Sequence, residues 1–257
     1  LNGEYKKMKK KLALIISTFF LISNLSAHCD GCGTSDTHKH GSLVGNVKYE
    51  GKVPSKKPLK MDADPVCGSS HDEKVMSESF IVDEDMNLKN VIVWLKDVKY
   101  DGPKLTETAV LDQKGCVYAP HVMAVMKDQK VLIKNNDATL HNIHSMAKVN
   151  DQFNFAMPKV VKEKETSFGE VEEPFYIKCD VHPWMKAWVL VQDHPYFAVT
   201  DEKGNFKIND IPPGTYEVVA WQEKFKMARS ITKSVTIKDS MDTNQDFTFV
   251  KPSKSKK

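Results

Sequence analysis

The sequence predicts an all-β protein whose strands form sandwiches. Short runs of β-branched and aromatic residues, such as Val91–Leu95 and Ala187–Val191, recur along the chain and are separated by Gly, Pro, Asn and Asp. No long amphipathic helical pattern lies between them, so βαβ units are disfavoured. The 257 residues suffice for one large or two ordinary domains, and 40% hydrophobic with 28% charged residues is a normal globular balance.

Each predicted strand rests on its own local pattern. The first alternates in part and stops at Gly51 to Pro54, whereas the second is apolar throughout, as expected of a buried strand. Asp201 to Gly204 predicts a hairpin turn with a positive φ at Gly204, and the charged run 162–165 predicts a solvated turn. The predicted strands cover residues 43–49, 91–95, 122–126, 131–133, 175–177, 187–191, 196–200, 205–208, 216–221, 234–237 and 247–250.

Residues 1–27 have the order of a secretory signal peptide. Lysines precede the apolar run Leu12 to Leu25, and Ser26 and Ala27 offer a small-residue cleavage site. We expect translation to start at Met8 and the protein to be periplasmic or otherwise exported. A retained membrane anchor is the alternative, although the run is shorter than the ~20 residues of a spanning helix.

The charge balance gives no reason to expect a nucleic-acid partner. Residues 1–27 contain five lysines and one glutamate, so the rest of the chain has 32 basic and 33 acidic residues. The basic pI is therefore mostly a property of the signal peptide. Residues 251–257 form a short basic tail, which is interpreted as a solvated terminus.

Five cysteines in an exported chain leave at least one thiol unpaired. A disulfide between Cys67 and Cys116 would close a long loop, although spacing alone does not fix the pairing. Cys29 and Cys32 are close enough to pair with each other or to share a metal, and Cys179 would then remain.

The polar leader, residues 28–41, is predicted to be flexible and is rich in metal-binding side chains. Together they could hold copper or zinc, in a role such as capture or delivery. The alternative is an unbound leader with a local disulfide. The side chains are His28, Cys29, Cys32, His38 and His40.

Residues 193–250 form a separate predicted β domain. The order of Asp201 to Ile208, Ile211 to Tyr216, and Val218 to Trp221 resembles the carboxypeptidase-regulatory-like, transthyretin-like β domain over roughly residues 195–250. The resemblance implies a small sandwich that serves structure or interaction, and it assigns no chemistry by itself.

A cysteine, a histidine and a methionine share one short loop between two predicted strands. Cys179, His182 and Met185 are spaced three residues apart, and the loop would aim their side chains at one point. Thiolate, imidazole and thioether are donors that copper accepts in both redox states. The alternative is an inert core thiol with methionine packing.

The stretch Asn136 to Asn142, followed by the Cys179 to Met185 loop, resembles the cupredoxin family, and the tight loop is most similar to that of amicyanin. The longer run with Cys116 and the C-terminal module resembles exported methylamine-utilisation-type cupredoxins. The resemblance implies a Greek-key cupredoxin β-sandwich over residues 42–192. It also implies one type 1 copper held by His141, Cys179, His182 and Met185, with Asn142 steadying the ligand loop.

Further side chains near these motifs have open roles. His144 is interpreted as a solvated loop histidine or an extra ligand, and His121 as structural or an extra ligand. His182 is expected in an exposed loop where electrons enter or leave, while Pro183 and Trp184 shield the metal.

The main functional hypothesis is a one-electron carrier of the cell envelope, without enzymatic activity, because four protein ligands leave no open position for a substrate. Its partner would be a redox protein such as a cytochrome or an envelope oxidoreductase, with no integral membrane span after signal cleavage. The alternatives are a copper-binding or delivery protein that also uses the leader, a scaffold with a vestigial site, and an oxidase or reductase subunit with His144 as a ligand.

Overall fold

The computed structural model describes residues 39–225 and 230–250, which contain 17 strands and one short helix. The predicted signal peptide, the leader up to His38 and the basic tail lie outside these ranges. Within the described residues no helix is long and apolar enough to cross a membrane. The prediction of an all-β sandwich fold is confirmed.

The elements follow one another in this order. The strands are β1 (Gly41–Glu50), β2 (Ile92–Lys96), β3 (Ala109–Lys114), β4 (Val117–Ala119), β5 (Val122–Met126), β6 (Val131–Asn135), β7 (His141–Ser145), β8 (Asn154–Met157), β9 (Glu163–Thr166), β10 (Glu172–Lys178), β11 (Lys186–Gln192), β12 (Phe197–Val199), β13 (Asn205–Ile211), β14 (Gly214–Trp221), β15 (Ser230–Ile237), β16 (Asp242–Asn244) and β17 (Phe247–Val250). The helix α1 is Pro65–Gly68.

The strands form two sandwiches of two sheets each. Sandwich I consists of the sheet β5-β11-β10-β7-β8 and the sheet β4-β3-β6-β9. Sandwich II consists of the sheet β13-β1-β16, in which β17 also pairs with β1, and the sheet β12-β2-β14-β15. Each sandwich has its own buried cluster of apolar side chains. Sandwich I is therefore one continuous stretch, residues 109–192, inserted between strands of sandwich II.

The strand pairing does not follow a boundary at residue 192. Strands β1 and β2, expected in the cupredoxin-like unit of residues 42–192, pair with β13 and β14 in sandwich II. Leu43, Val47 and Tyr49 of β1 lie in the core of sandwich II. An alternating pattern identifies a strand and its buried face, but it does not say which sheet the strand joins.

The fully apolar strands lie where the two sandwiches face each other. Along β2, Val93 points into sandwich II while Trp94 points into a third apolar cluster between the sandwiches. Along β11, Val189 points into sandwich I while Leu190 and Trp188 join that same cluster. Because successive side chains of a strand point to opposite faces, a strand buried on both faces is apolar throughout.

A polar connection lies at the edge of this interface. Glu223, in the turn after β14, accepts hydrogen bonds from His121 at 2.6 Å and from Trp188 Nε1 at 2.7 Å. Both partners belong to sandwich I, and the Glu223 side chain is only 9% exposed. The buried carboxylate is therefore fully engaged across the interface, as a buried charge requires. His121 thus has a structural partner in this contact.

The structure confirms several predicted strands and one predicted turn residue, but it contradicts one predicted turn. The strands expected at 122–126, 216–221 and 247–250 are confirmed, and Gly204 has the predicted positive φ of 70°. The solvated turn expected at 162–165 is wrong, because most of it belongs to β9, which pairs with β6. The strand β9 lies at a sheet edge, where exposed Lys and Glu side chains are compatible with a strand.

We expect Leu190→Ala to lower the free energy of unfolding by about 2–5 kcal/mol, because it leaves a cavity between the sandwiches. Leu190 is fully buried there, in one apolar cluster with residues of β2 and β14. Urea denaturation measures the change. Leu105→Ala is the control, since Leu105 is 38% exposed and its removal should change stability by less than about 0.5 kcal/mol. Equal effects of the two substitutions would contradict a packed interface.

Candidate metal centre

Three predicted ligands converge at one end of sandwich I. His141 begins β7, and Cys179 and His182 lie in the loop between β10 and β11. The two Nδ1 atoms are 2.9 Å apart, and the Cys179 sulfur is 3.8 Å from the Nδ1 of His182. One donor atom from each residue lies within 4.8 Å of the others. All three side chains are at most 2% exposed.

Backbone hydrogen bonds close the ligand loop on itself. The N–H of Cys179 donates to the carbonyl of Met185 at 3.3 Å, and the N–H of Met185 donates to the carbonyl of His182 at 2.9 Å. The loop is anchored on both sides by the β10–β11 pairing, which ends at Lys178 and Lys186. Rigid strands thus fix the positions of both side chains that the loop contributes to the cluster.

The sulfur of Cys179 accepts two backbone hydrogen bonds. The N–H groups of Asn142 and His182 both lie 3.4 Å from it. Burial by itself raises the pKa of this thiol, but the hydrogen bond from His141 and these N–H groups outweigh burial, so the pKa is lowered. Donors aimed at a sulfur stabilise its thiolate form, which is the form that binds metals. Within the described residues Cys179 is the free cysteine.

Met185 is buried at 1% exposure in the same apolar cluster as Cys179. It follows His182 on the same closed loop, and its backbone N–H completes that loop. The methionine therefore lies in the same core as Cys179 and on the same loop as His182. Its thioether would be a weak further donor, which is how soft copper sites use methionine.

Each imidazole is held from behind by a carboxylate. The Nε2 of His141 is 2.8 Å from an oxygen of Asp137, and the Nε2 of His182 is 3.0 Å from an oxygen of Asp64. With Nε2 occupied, both rings turn Nδ1 toward the point that they share with Cys179. A carboxylate behind a ligating histidine fixes the ring and its tautomer and makes the ring a stronger donor.

A two-residue turn positions Asp137. Gly115 and Cys116 join β3 to β4 with positive φ angles of 64° and 55°, as the tight hairpin turn between twisted strands requires. Their N–H groups donate to the carboxylate of Asp137 at 2.7 and 2.8 Å. Burial raises the pKa of Asp137, whereas the hydrogen bonds from His141 and the turn lower it, and the lowering prevails.

A disulfide ties this turn to the element that holds Asp64. Cys67 in α1 is bonded to Cys116, with Cα atoms 5.5 Å apart. Asp64 caps the N-terminus of α1 by accepting a 2.8 Å hydrogen bond from the N–H of Val66. The hydrogen bond with His182 is the main reason why the pKa of Asp64 is lowered to about 2. Both carboxylates therefore lie next to the ends of one cross-link.

The remaining predicted residues surround the site or lie away from it. Asn142 steadies the loop, because its side-chain oxygen accepts the N–H of Asp180 at 2.5 Å. His144 lies on the far side of that network, with its Nδ1 2.8 Å from Asp180, and it does not belong to the three-residue cluster. His40 is exposed at the start of the described chain, while His28, Cys29, Cys32 and His38 lie outside the described residues.

The loop of His182 is exposed at Val181 and Pro183, as expected, but the His182 side chain itself is buried. Its side chain is 2% exposed, because Asp64 and the Cys67 sulfur, 3.7 Å from Nε2, cover it. Trp184 packs on the same ring with centroids 5.0 Å apart, while Pro183 faces solvent. The segment that covers His182 comes from more than a hundred residues upstream, so the loop sequence contains no sign of it.

The geometry of the cluster fits a single metal ion. Trigonal coordination with metal–nitrogen bonds of about 2.0 Å and a metal–sulfur bond of about 2.3 Å places the nitrogens about 3.5 Å apart and each nitrogen about 3.7 Å from the sulfur. The Nδ1–Nδ1 distance of 2.9 Å and the Sγ–Nδ1 distance of 3.8 Å are close to these values, so the two rings need to part only slightly. The sulfurs of Cys67 and Cys116 are bonded to each other and offer no thiolate.

Sequence reasoning missed Asp64 altogether and noted Asp137 only as part of a motif. Asp137 is four residues before His141, a spacing that was visible in the sequence. Asp64 precedes a proline at the start of a helix, which predicts an N-cap and no contact with a distant histidine. Tyr118, which donates to the carbonyl of Asn142 at 2.6 Å, likewise had no sequence signal.

Comparisons with known proteins overlap this chain only in part. Residues 176–245 match the family model described as polysaccharide lyase family 4, domain II. No curated protein matches the chain.

Similar solved structures include a nitrite reductase, an amicyanin variant and a cupredoxin. A copper-containing nitrite reductase from Thermus scotoductus SA-01 is 16% identical at a TM-score of 0.32, over 38% of this chain and 25% of its own. An oxidized amicyanin variant is 23% identical at a TM-score of 0.30, over 45% of this chain and 94% of its own. A purple cupredoxin from Nitrosopumilus maritimus is 23% identical at a TM-score of 0.28, over 33% and 99%. The chain thus spans a quarter of the nitrite reductase, and overlaps at these TM-scores assign no function and no ligand.

We expect Asp137→Ala to lower the free energy of unfolding of the copper-free protein by about 1–3 kcal/mol at pH 7, because buried N–H donors lose their acceptor. The lowered pKa of Asp137 means that its contribution is present above the unfolded pKa of about 3.9 and is lost as the pH falls through the folded pKa. The difference in stability between wild type and variant should therefore begin to shrink as the pH falls below about 4.

Urea denaturation at pH 7 and pH 3 measures this difference. Asp151→Ala is the control, since Asp151 is exposed and its removal should leave stability nearly unchanged at both pH values. A difference between wild type and Asp137→Ala that stayed constant from pH 7 to pH 3 would contradict the role of the charged carboxylate.

Proposed function

We propose that this chain is an exported type 1 copper protein that carries single electrons in the cell envelope and is not an enzyme. One observation carries the proposal, the convergence of His141, Cys179 and His182 on one buried point. Two imidazoles and a thiolate in a trigonal arrangement, with a weak axial thioether, are the donor set of blue-copper sites. Met185, buried on the same loop, would be the fourth and weaker donor.

Bound copper would supply a one-electron couple that cycles between Cu(II) and Cu(I). The chain would keep the positions of the donor atoms fixed, because the loop is closed by its own hydrogen bonds and connects the paired strands β10 and β11. Little rearrangement between the two oxidation states favours fast electron exchange. Trp184, whose Nε1 donates to the carbonyl of Cys116 at 3.0 Å, helps to exclude water from the His182 side.

Several features favour a carrier over a copper enzyme. Four protein donors would leave no coordination position open for a substrate. His144, the residue that an oxidase or reductase site would need, is engaged by Asp180 at 2.8 Å and stands outside the cluster. The proposed partner is a second one-electron protein, such as a cytochrome or an envelope oxidoreductase, which donates or accepts the electron.

The decisive test is the visible absorption of the copper-loaded protein beside Cys179→Ser. We expect an intense thiolate-to-copper band in the wild type, bleached by a mild reductant and restored by an oxidant, and no such band in the variant. Val181→Ala, in the same loop but 45% exposed, is the control and should keep the band. A wild type without the band, or a variant that retains it, would refute the type 1 site.

Copper stoichiometry separates the carrier from the alternative, a copper-binding or delivery protein that also uses the leader. That alternative is motivated by five donor residues within residues 28–40. We expect one tightly bound copper per chain, retained in a Cys29→Ser, Cys32→Ser double variant, as measured by metal analysis after gel filtration. A second tight copper that is lost in the double variant would favour delivery.

A further inference from the structure

The carboxylate of Asp64 is held on both of its oxygens. One oxygen lies 3.0 Å from the Nε2 of His182 and also accepts the hydroxyl of Thr139 at 3.0 Å. The other accepts the N–H of Val66 at 2.8 Å. Contacts from three separate parts of the chain therefore fix the carboxylate in front of the imidazole. These contacts, and not only the rotamer preference of Asp64, determine where the carboxylate lies.

The element that carries Asp64 is fastened over the site. The disulfide joins Cys67 of α1 to Cys116, and the carbonyl of Cys116 accepts the indole N–H of Trp184. Asp64, the disulfide and Trp184 thus surround the outer edge of His182, which is 2% exposed. No solvent-facing edge of this imidazole is left for a partner protein to touch.

We propose that Asp64 is a positioning residue for the copper site, which holds His182 through Nε2, favours Cu(II) over Cu(I) and seals this ligand from direct contact with a partner. This inference rests on the proposed function and deepens it, because it concerns the reduction potential of that same site. Asp137 supports His141 in a comparable way, but it lies only four residues before its histidine.

The preference for Cu(II) follows from charge. A carboxylate that accepts the Nε2–H bond polarises the imidazole and makes Nδ1 a stronger donor. A fixed negative charge near the metal stabilises the more highly charged ion, and solvent screens this charge only in part, because Asp64 is 20% exposed and the imidazole between them is 2% exposed. Loss of such an outer partner typically weakens metal affinity by about 10–100-fold.

Asp64 also caps α1, so a test must separate the cap from the effect on copper. Asparagine is as good an N-cap as aspartate, since its side-chain oxygen accepts the same backbone N–H. Asp64→Asn therefore keeps the helix cap and removes the negative charge. Asp62→Asn is the matched control, because Asp62 is exposed on the same segment and its substitution removes the same charge two residues away.

The experiment measures the affinities of the full chain for Cu(II) and Cu(I) by competition with chelators, and the reduction potential by a redox titration of the visible band. We expect Asp64→Asn to bind Cu(II) at least tenfold more weakly, with a smaller change for Cu(I). Each tenfold loss that is confined to Cu(II) raises the potential by about 59 mV. Asp62→Asn should match the wild type.

Two results would overturn the inference. The first is an unchanged potential in Asp64→Asn, with a normal band in the wild type. The second needs no variant: NMR of the wild type loaded with Cu(I) should show a slowly exchanging Nε2–H proton on His182, and rapid exchange with water would show an open edge. Absence of the band from the wild type would instead be a failure of the proposed function, so the two failures are distinguishable.

Discussion

The candidate site depends on two hydrogen bonds between a carboxylate and an imidazole. Asp137 and Asp64 occupy the Nε2 atoms of His141 and His182, and each ring consequently presents Nδ1 to the sulfur of Cys179. Without these contacts two buried imidazoles would have polar atoms to satisfy and no reason to face each other. A single disulfide lies beside both carboxylates, since one of its ends is in the turn that binds Asp137 and the other in the helix that Asp64 caps.

The arrangement of the two sandwiches explains why the site has this support. Sandwich I is inserted into sandwich II, so the chain runs through β1, α1 and β2 before it reaches the strands that carry the site. The segment between β1 and β2 is thereby free to lie against sandwich I, where α1 covers His182. The sheet that contains β2 and β14 packs against the sheet that contains β5 and β11, and the apolar cluster between these two sheets joins the two sandwiches. A long segment ahead of the insertion thus becomes part of the site.

Asp64 and the disulfide cover the His182 side chain and so limit how a partner protein could approach the loop of residues 179–185. A ligand histidine at the tip of a loop would ordinarily be the nearest part of the site to a partner, whereas here an anionic, cross-linked element intervenes. The same element supplies the carboxylate behind the imidazole. In the proposed copper site, one segment would therefore set both the access to His182 and the electronic character of this imidazole, and a change in Asp64 would alter both together.

The sequence by itself determined eleven of the 17 strands of the described residues, the spacing of Cys179, His182 and Met185, and the presence of His141 after an apolar strand. These are local properties, because side-chain alternation and loop spacing depend on neighbouring residues. The tertiary structure alone decided that β1 and β2 belong to sandwich II, that residues 163–166 form an edge strand, and that Asp64 closes over His182. Which distant strands pair, and whether Asp64 meets His182 118 positions away, depends on packing energies summed over whole sheets. No local sequence pattern contains this information.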